Sequence, residues 1–291
     1  MSSKSERIKN IASKVGNLPI LPTVVAKMID LADDPETQTE TLARLISNDQ
    51  SLTARILKAA NSAYYGLSRE ISTVDTAIVV MGYKAVKEIG LSLSVVDSLK
   101  NMGSINRFDI QKYWEHCLGV GTAAKEIAKK YLSTDAGELY VAGLLHDIGK
   151  TILIQYAQQD FYSVLDYMEQ ENISCFEAEE QILGITHGEI GYIIADRWNL
   201  PVKIGMIIRH HHYPQNAPKN FTAEAAIIDT ADTLCHNLNI GNANHRVNKN
   251  INPQIIQIFD KTNSFDASEI TLIGKTLKTE IEQNELLHFT N

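Results

Sequence analysis

The chain has 291 residues, 44% of them hydrophobic and 21% charged, with 7 Pro and 16 Gly. That is the composition of an ordinary globular protein, long enough to bury a large core without stabilising disulfides. Its 27 basic and 35 acidic residues give a net charge of −8 with no Lys/Arg block, which disfavours nucleic-acid binding through a basic face. Cys117, Cys175 and Cys235 are odd in number and far apart, which excludes a disulfide framework and fits a reducing cytoplasm. The opening MSSKSERIKN has no apolar core for a signal peptide, and no stretch reaches the roughly 18 apolar residues of a membrane span. A cytoplasmic protein with no membrane association is expected.

Along the chain, apolar residues recur at three- and four-residue spacing, as in Leu42, Leu45 and Ile46, then Leu52, Ile56 and Leu57. Asp49 stands before the second of these patterns as a helix start. Ile78-Val79-Val80 is β-branched but short and isolated, and reads as buried helix. Lys100 to Arg107 is polar with a Gly-Ser break and reads as a joint. Asp135 with Glu138, and Ser174 with Glu177, form capping boxes before Leu139-Ala142-Leu145 and Ala178-Ile182-Leu183. Gly241 to Pro253 is Asn-rich and precedes an amphipathic tail over about 266–287. The expected fold is all-α, with an amino-terminal half (1–105), a second half (106–250) and a helical tail (251–291). No internal repeat or low-complexity tract is present.

The histidines carry the chemistry. Residues three and four apart share a helix face, so His116 lies with Val120, Ala123 and Ile127, and His146 with Leu139 and Ala142. His187 lies with Gly191, Ile194 and Trp198, His211 with Ile204, Ile207 and Ile208, and Asp232 with Ala225 and Ile228. Any one of these reads most simply as a hydrogen-bonded core residue. Five helices each aiming an imidazole or carboxylate inward is a different matter, because unpaired buried polar groups cost about 1–3 kcal/mol each. A divalent metal removes that cost, and neutral imidazoles with carboxylates suit Fe, Mn, Zn or Ni. Lys150 falls one turn after His146 and Asp147, where an ammonium can hold an anionic oxygen such as that of a phosphate; alternatively it marks a helix end after Gly149.

His116, GLLHDIGK around His146-Asp147, and the distal Asp232 resemble the HD superfamily of metal-dependent phosphohydrolases. LPILP (Leu18 to Pro22), AANSAYYG (Ala59 to Gly66), ISTVDTAIVVMG (Ile71 to Gly82) and WNLPVKIGMIIRHHHYP (Trp198 to Pro214) narrow the resemblance to the HDOD family, the HD-related output domain, over about 17–238. The resemblance implies a helical fold used in bacterial signalling, with many members acting as regulatory modules after losing their metal ligands. This chain keeps the set. By analogy with the related HD-GYP phosphodiesterases, His116, the His146-Asp147 doublet, His187, a histidine pair within 210–212 and Asp232 are the implied ligands. The family's spacing favours His211-His212 over His210-His211, and Asp232 over Asp229. Lys112 stands where some relatives place the Glu of a third metal, which implies one or two ions. The GYP motif is absent, since Tyr213 and Pro214 follow the histidines without a Gly, so cleavage of cyclic di-GMP is not implied.

Cys117 and Cys235 read as small buried hydrophobes, Tyr64, Tyr65 and Tyr83 as packing residues, and His236, His245 and His288 as surface residues. No Gly-rich phosphate loop or nucleophile elbow is present. Two functions follow. One is an HDOD signalling protein that keeps an HD-type metal site and acts by contact with a protein partner. The other is an active metal-dependent phosphohydrolase on a nucleotide or phosphodiester, with Asp147 and Lys150 as catalytic residues. In either case the amino-terminal half, which supplies no ligand, is expected to pack beside the metal-site half.

Overall fold

A computed structural model describes residues 27–28, 35–61, 71–99, 107–132, 136–242 and 272–279. Leu18 to Pro22, Tyr64, Tyr65, Asp135, His245, His288, most of both joints and most of the tail lie outside these residues. The described residues are helical, with no β-strand among them, and divide into two compact units, one within 19–103 and one within 104–278.

In the first unit, α1 (Pro35–Ser47), α2 (Gln50–Ala60), α3 (Val74–Met81) and α4 (Tyr83–Leu99) all pack on one another. The periodic residues Leu42, Ile46, Leu52 and Ile56 form the core with Ala77 and Val86. Asp49 caps α2, its carboxylate accepting from Leu52 N at 3.0 Å. Asn61, from the AANSAYYG motif, is a reciprocal clamp. Its Oδ1 accepts from Ile71 N at 2.7 Å and its Nδ2 donates to Ile71 O at 2.8 Å, tying the end of α2 to the start of the next motif. The Ile78-Val79-Val80 run is helical, but not buried throughout. Val74, Ala77 and Ile78 share the inward face of α3, whereas Val79 and Val80 are 80% and 46% exposed. An eight-residue helix turns 100° per residue, so three consecutive side chains cannot all face one core.

The second unit contains α5 (Ile110–Tyr131), α6 (Ala136–Leu145), α7 (Ile148–Tyr156), α8 (Gln158–Glu171), α9 (Cys175–Ile182), α10 (His187–Arg197), α11 (Val202–His210) and α12 (Thr222–Asn237). Helix α5 packs on α6 and α12, α10 on α7 and α11, and α8 on α7 and α9. The α5–α6 contact is backbone on backbone: a Cβ on Gly143 would lie 2.8 Å from Gly121 Cα. The expected Ser174–Glu177 capping box is present at α9, and a second one, Thr186–Glu189, opens α10. Glu138 pairs with Lys203 at 2.7 Å. The helical segment at 272–279 buries Leu277 and brings Gly274 against Leu234 and Leu238 of the second unit.

Candidate metal centre

Asp147 opens the site. It occupies the break between α6 and α7, at the N-cap position of α7, yet makes no capping bond. GLLHDIGK is therefore a helix–turn–helix rather than one continuous helix, and the turn frees the carboxylate for other partners. Its Oδ1 lies 3.1 Å from His187 Nε2 and 3.9 Å from His211 Nε2, while its Oδ2 lies 3.4 Å from His146 Nε2 and 2.7 Å from Lys150 Nζ. His187 begins α10, and His211 and His212 follow the end of α11. His187 Nε2 stands 3.3 Å from His211 Nε2 and 3.0 Å from His212 Nε2. On the other side, His116 from α5 lies 3.0 Å from Asp232 of α12, and His146 lies 3.9 Å from the same carboxylate.

Two groups result, each able to offer its ligand atoms within 4.8 Å of one another: Asp147, His187, His211 and His212, and His116, His146 and Asp232. All seven implied ligands thus come together in these groups. His210 stays half-buried outside them, and Asp229 is buried but belongs to neither.

Proton positions follow from the acceptors. His146 Nδ1 is 2.7 Å from Gly143 O and His211 Nδ1 is 2.6 Å from Ile208 O. A carbonyl can only accept, so both Nδ1 atoms donate, and in the neutral ring the proton is spent there. His187 Nδ1 lies 2.7 Å from the Glu179 carboxylate, which also accepts from His187 N at 2.7 Å. Three Nε2 lone pairs therefore converge around Asp147. His146 Nε2 is buried with no hydrogen bond. The Nε2 atoms of His187 and His211 stand 3.1–3.9 Å from each other and from Asp147 Oδ1, an arrangement that a divalent cation among them would satisfy. Ligands about 2.1 Å from an ion in a tetrahedral array stand about 3.4 Å apart, so the spacing of these donor atoms fits a divalent metal.

The electrostatics agree. Burial pushes His211 well below the ordinary imidazole value and lowers His146 too, with neighbouring imidazoles adding to the shift. Burial also opposes the charge of His187, but Glu179 and Asp147 outweigh it and raise that pKa. Asp147 is desolvated, yet His146, Lys150 and His187 hold its carboxyl well below the usual range. Lys150 is fully buried against Asp147, which with Glu179 keeps its pKa raised despite desolvation. It is thus engaged with the Asp147 carboxylate.

Cys117 and Cys235 are buried, and burial raises both thiols; they pack as thiols in the core. Glu179 is the residue that sequence reasoning missed. It sits on the inward face of α9 with Cys175, Phe176 and Ala178, and a charge at that apolar position was its signal.

A sequence profile described as the HDOD domain matches residues 18–214. A crystal structure of an HDOD domain protein of unknown function from Geobacter sulfurreducens is 27% identical, with a TM-score of 0.81 over 96% of this chain and 98% of that one. A protein from Shewanella amazonensis SB2B, provisionally named a phosphohydrolase, shares the fold at 21% identity, with a TM-score of 0.71 over 96% and 98% of the two chains. An uncharacterised protein of Treponema pallidum is 24% identical over 216 residues, which make up 73% of this chain and 41% of that relative's length. Among the described residues no helix is long and apolar enough to cross a membrane. With a family profile matching two thirds of its length, the chain belongs to the HDOD family.

Proposed function

We propose that this protein is a cytoplasmic HDOD regulatory protein that retains an HD-type metal site and works through contact with a signalling partner. The site would hold one or two divalent ions of the Fe, Mn, Zn or Ni type. His187, His211, His212 and Asp147 would hold one, and His116, His146 and Asp232 the other. The observation that carries the reading is the fixing of three Nδ1–H tautomers, which turns three Nε2 lone pairs toward one buried carboxylate. Burial of all seven ligands, which are 0–8% exposed, favours a structural or sensory ion over turnover of a bulky substrate.

A second reading, a phosphohydrolase acting on a nucleotide or phosphodiester, is favoured by the complete donor set. A divalent ion there would supply a fixed charge able to polarise a phosphoryl group and acidify water. The chain's own residues would orient that charge: Lys150 steadies Asp147, and the Gly143 and Ile208 carbonyls hold His146 and His211 in register. Metal analysis of untagged protein, purified without chelator, is expected to give one to two equivalents of metal. Protein that carries none, and takes up none from Fe, Mn or Zn, contradicts both readings. Activity on a phosphodiester and nucleotide panel would select the second.

A further inference from the structure

Glu179 is fully buried, and its carboxylate is committed on every side. One oxygen accepts from both His187 N and His187 Nδ1, each at 2.7 Å, and the other accepts the Cys175 thiol at 3.5 Å. Burial and the Glu179 charge keep Cys175 protonated, its pKa raised well above the ordinary value. Both ends of this contact are built on fixed elements. The Ser174 box starts α9, and the amides of Leu183 and Gly184 close on Glu179 O. The Thr186 box starts α10, leaving the His187 amide as an N-terminal orphan that Glu179 satisfies.

The three anchored imidazoles differ in one respect. His146 and His211 donate to neutral carbonyls of their own turns, whereas His187 donates to a carboxylate from another helix. A charged acceptor makes a hydrogen bond roughly twice as strong, and raises the basicity of the nitrogen left facing the site.

We propose that Glu179 is a positioning residue: it fixes His187 as the Nδ1–H tautomer and makes the Asp147/His187/His211/His212 group the tighter of the two metal-binding groups. The affinity part rests on the metal-binding reading above; the tautomer part does not.

The experiment uses the full chain in two arms. In metal-free, 15N-labelled protein at alkaline pH, long-range proton–nitrogen spectra report the His187 tautomer. It is expected to be Nδ1–H in the wild type and in Glu179→Gln, whose amide oxygen can still accept, and mixed in Glu179→Ala. In the second arm, Zn is titrated against a chromophoric chelator. Glu179→Gln, isosteric but uncharged, is expected to weaken one equivalent by about tenfold or more and leave the other within about twofold of wild type. A general packing defect would not produce that split. Retention of the Nδ1–H form in Glu179→Ala overturns the positioning role. Equal weakening of both equivalents by Glu179→Gln, or of neither, overturns the affinity role. If Glu179→Ala does not fold, Glu179→Leu, which keeps the volume but offers no acceptor to Nδ1, takes its place in the tautomer arm. A wild-type chain that binds no Zn fails the metal reading and the affinity part with it, while the tautomer comparison still judges Glu179.

Discussion

The two units satisfy their polar side chains in opposite ways. In the first, the exposed Asn61 meets the backbone of Ile71 donor to acceptor and acceptor to donor, so the arrangement is complete in itself. In the second, buried imidazoles and a carboxylate crowd together around Asp147, an arrangement suited to holding a cation. Polar residues of the first kind specify a fold. Those of the second kind specify a ligand, because folding alone leaves them frustrated.

The largest test of this contrast is Asp147→Ala. It removes the carboxylate of one group, which also lies 3.4 Å from His146 of the other, and takes the Asp147 partner from buried Lys150, costing about 3–5 kcal/mol. Metal content should fall to zero, and the melting temperature, which in the wild type should drop with chelator, should become chelator-insensitive. A variant that still melts higher with metal than without breaks the comparison.

Next comes acid. His146 and His211 have lowered pKa values in the fold, so the unfolded chain takes up two protons that the folded one refuses as pH falls below 6.5. His187, raised in the fold, acts with the opposite sign: its contribution is full below 6.5 and is lost as pH rises through the folded value. The lowered Asp147 keeps its contribution until pH falls through the carboxylate range. The net result for metal-free protein is a stability that declines as pH falls below about 6, at about 1.4 kcal/mol per pH unit for each refused proton. Denaturant titrations at pH 7.5 and 5.5 measure it, and His211→Asn should flatten the decline; a profile that rises toward acid contradicts the assignment of neutral imidazoles.

Asn61→Ala probes the other unit. Loss of its two bonds to Ile71 should cost about 1 kcal/mol with metal content unchanged, read by denaturant midpoint and metal analysis together. The smallest effect is expected at His210, which stands outside both groups. His210→Ala should stay within about 0.5 kcal/mol of wild type and keep its metal, whereas His212→Ala should lose metal affinity. Loss of metal in His210→Ala with retention in His212→Ala would place the pair in the other register.

Much of this was legible in the sequence, for physical reasons. Helical periodicity and the caps at Asp49 and Ser174 are local, so they read correctly without tertiary information. The inward histidines were visible because imidazoles interrupt apolar stripes. Glu179 was hidden among Glu177 and Glu180, and only its helical spacing from Cys175 and Phe176 marked it as inward-facing; the packing of α9 against the start of α10 makes it interior. The turn at His146-Asp147 was hidden because GLLHDIGK has only Gly143 and Gly149 to oppose a continuous helix, and neither stands at the turn itself. Val79 and Val80 misled in the opposite direction, since a hydrophobic residue need not be buried.

Gly149 shows how little is needed to undo such a site. A methyl group there would overlap His187 O, so the first turn of α10 would have to retreat and carry His187 away from Asp147. A descendant could therefore keep all seven candidate ligands in its sequence and still lose their arrangement through one added carbon. When relatives are sorted into metal-binding and metal-free, the hydrogen at this position is as informative as the histidines.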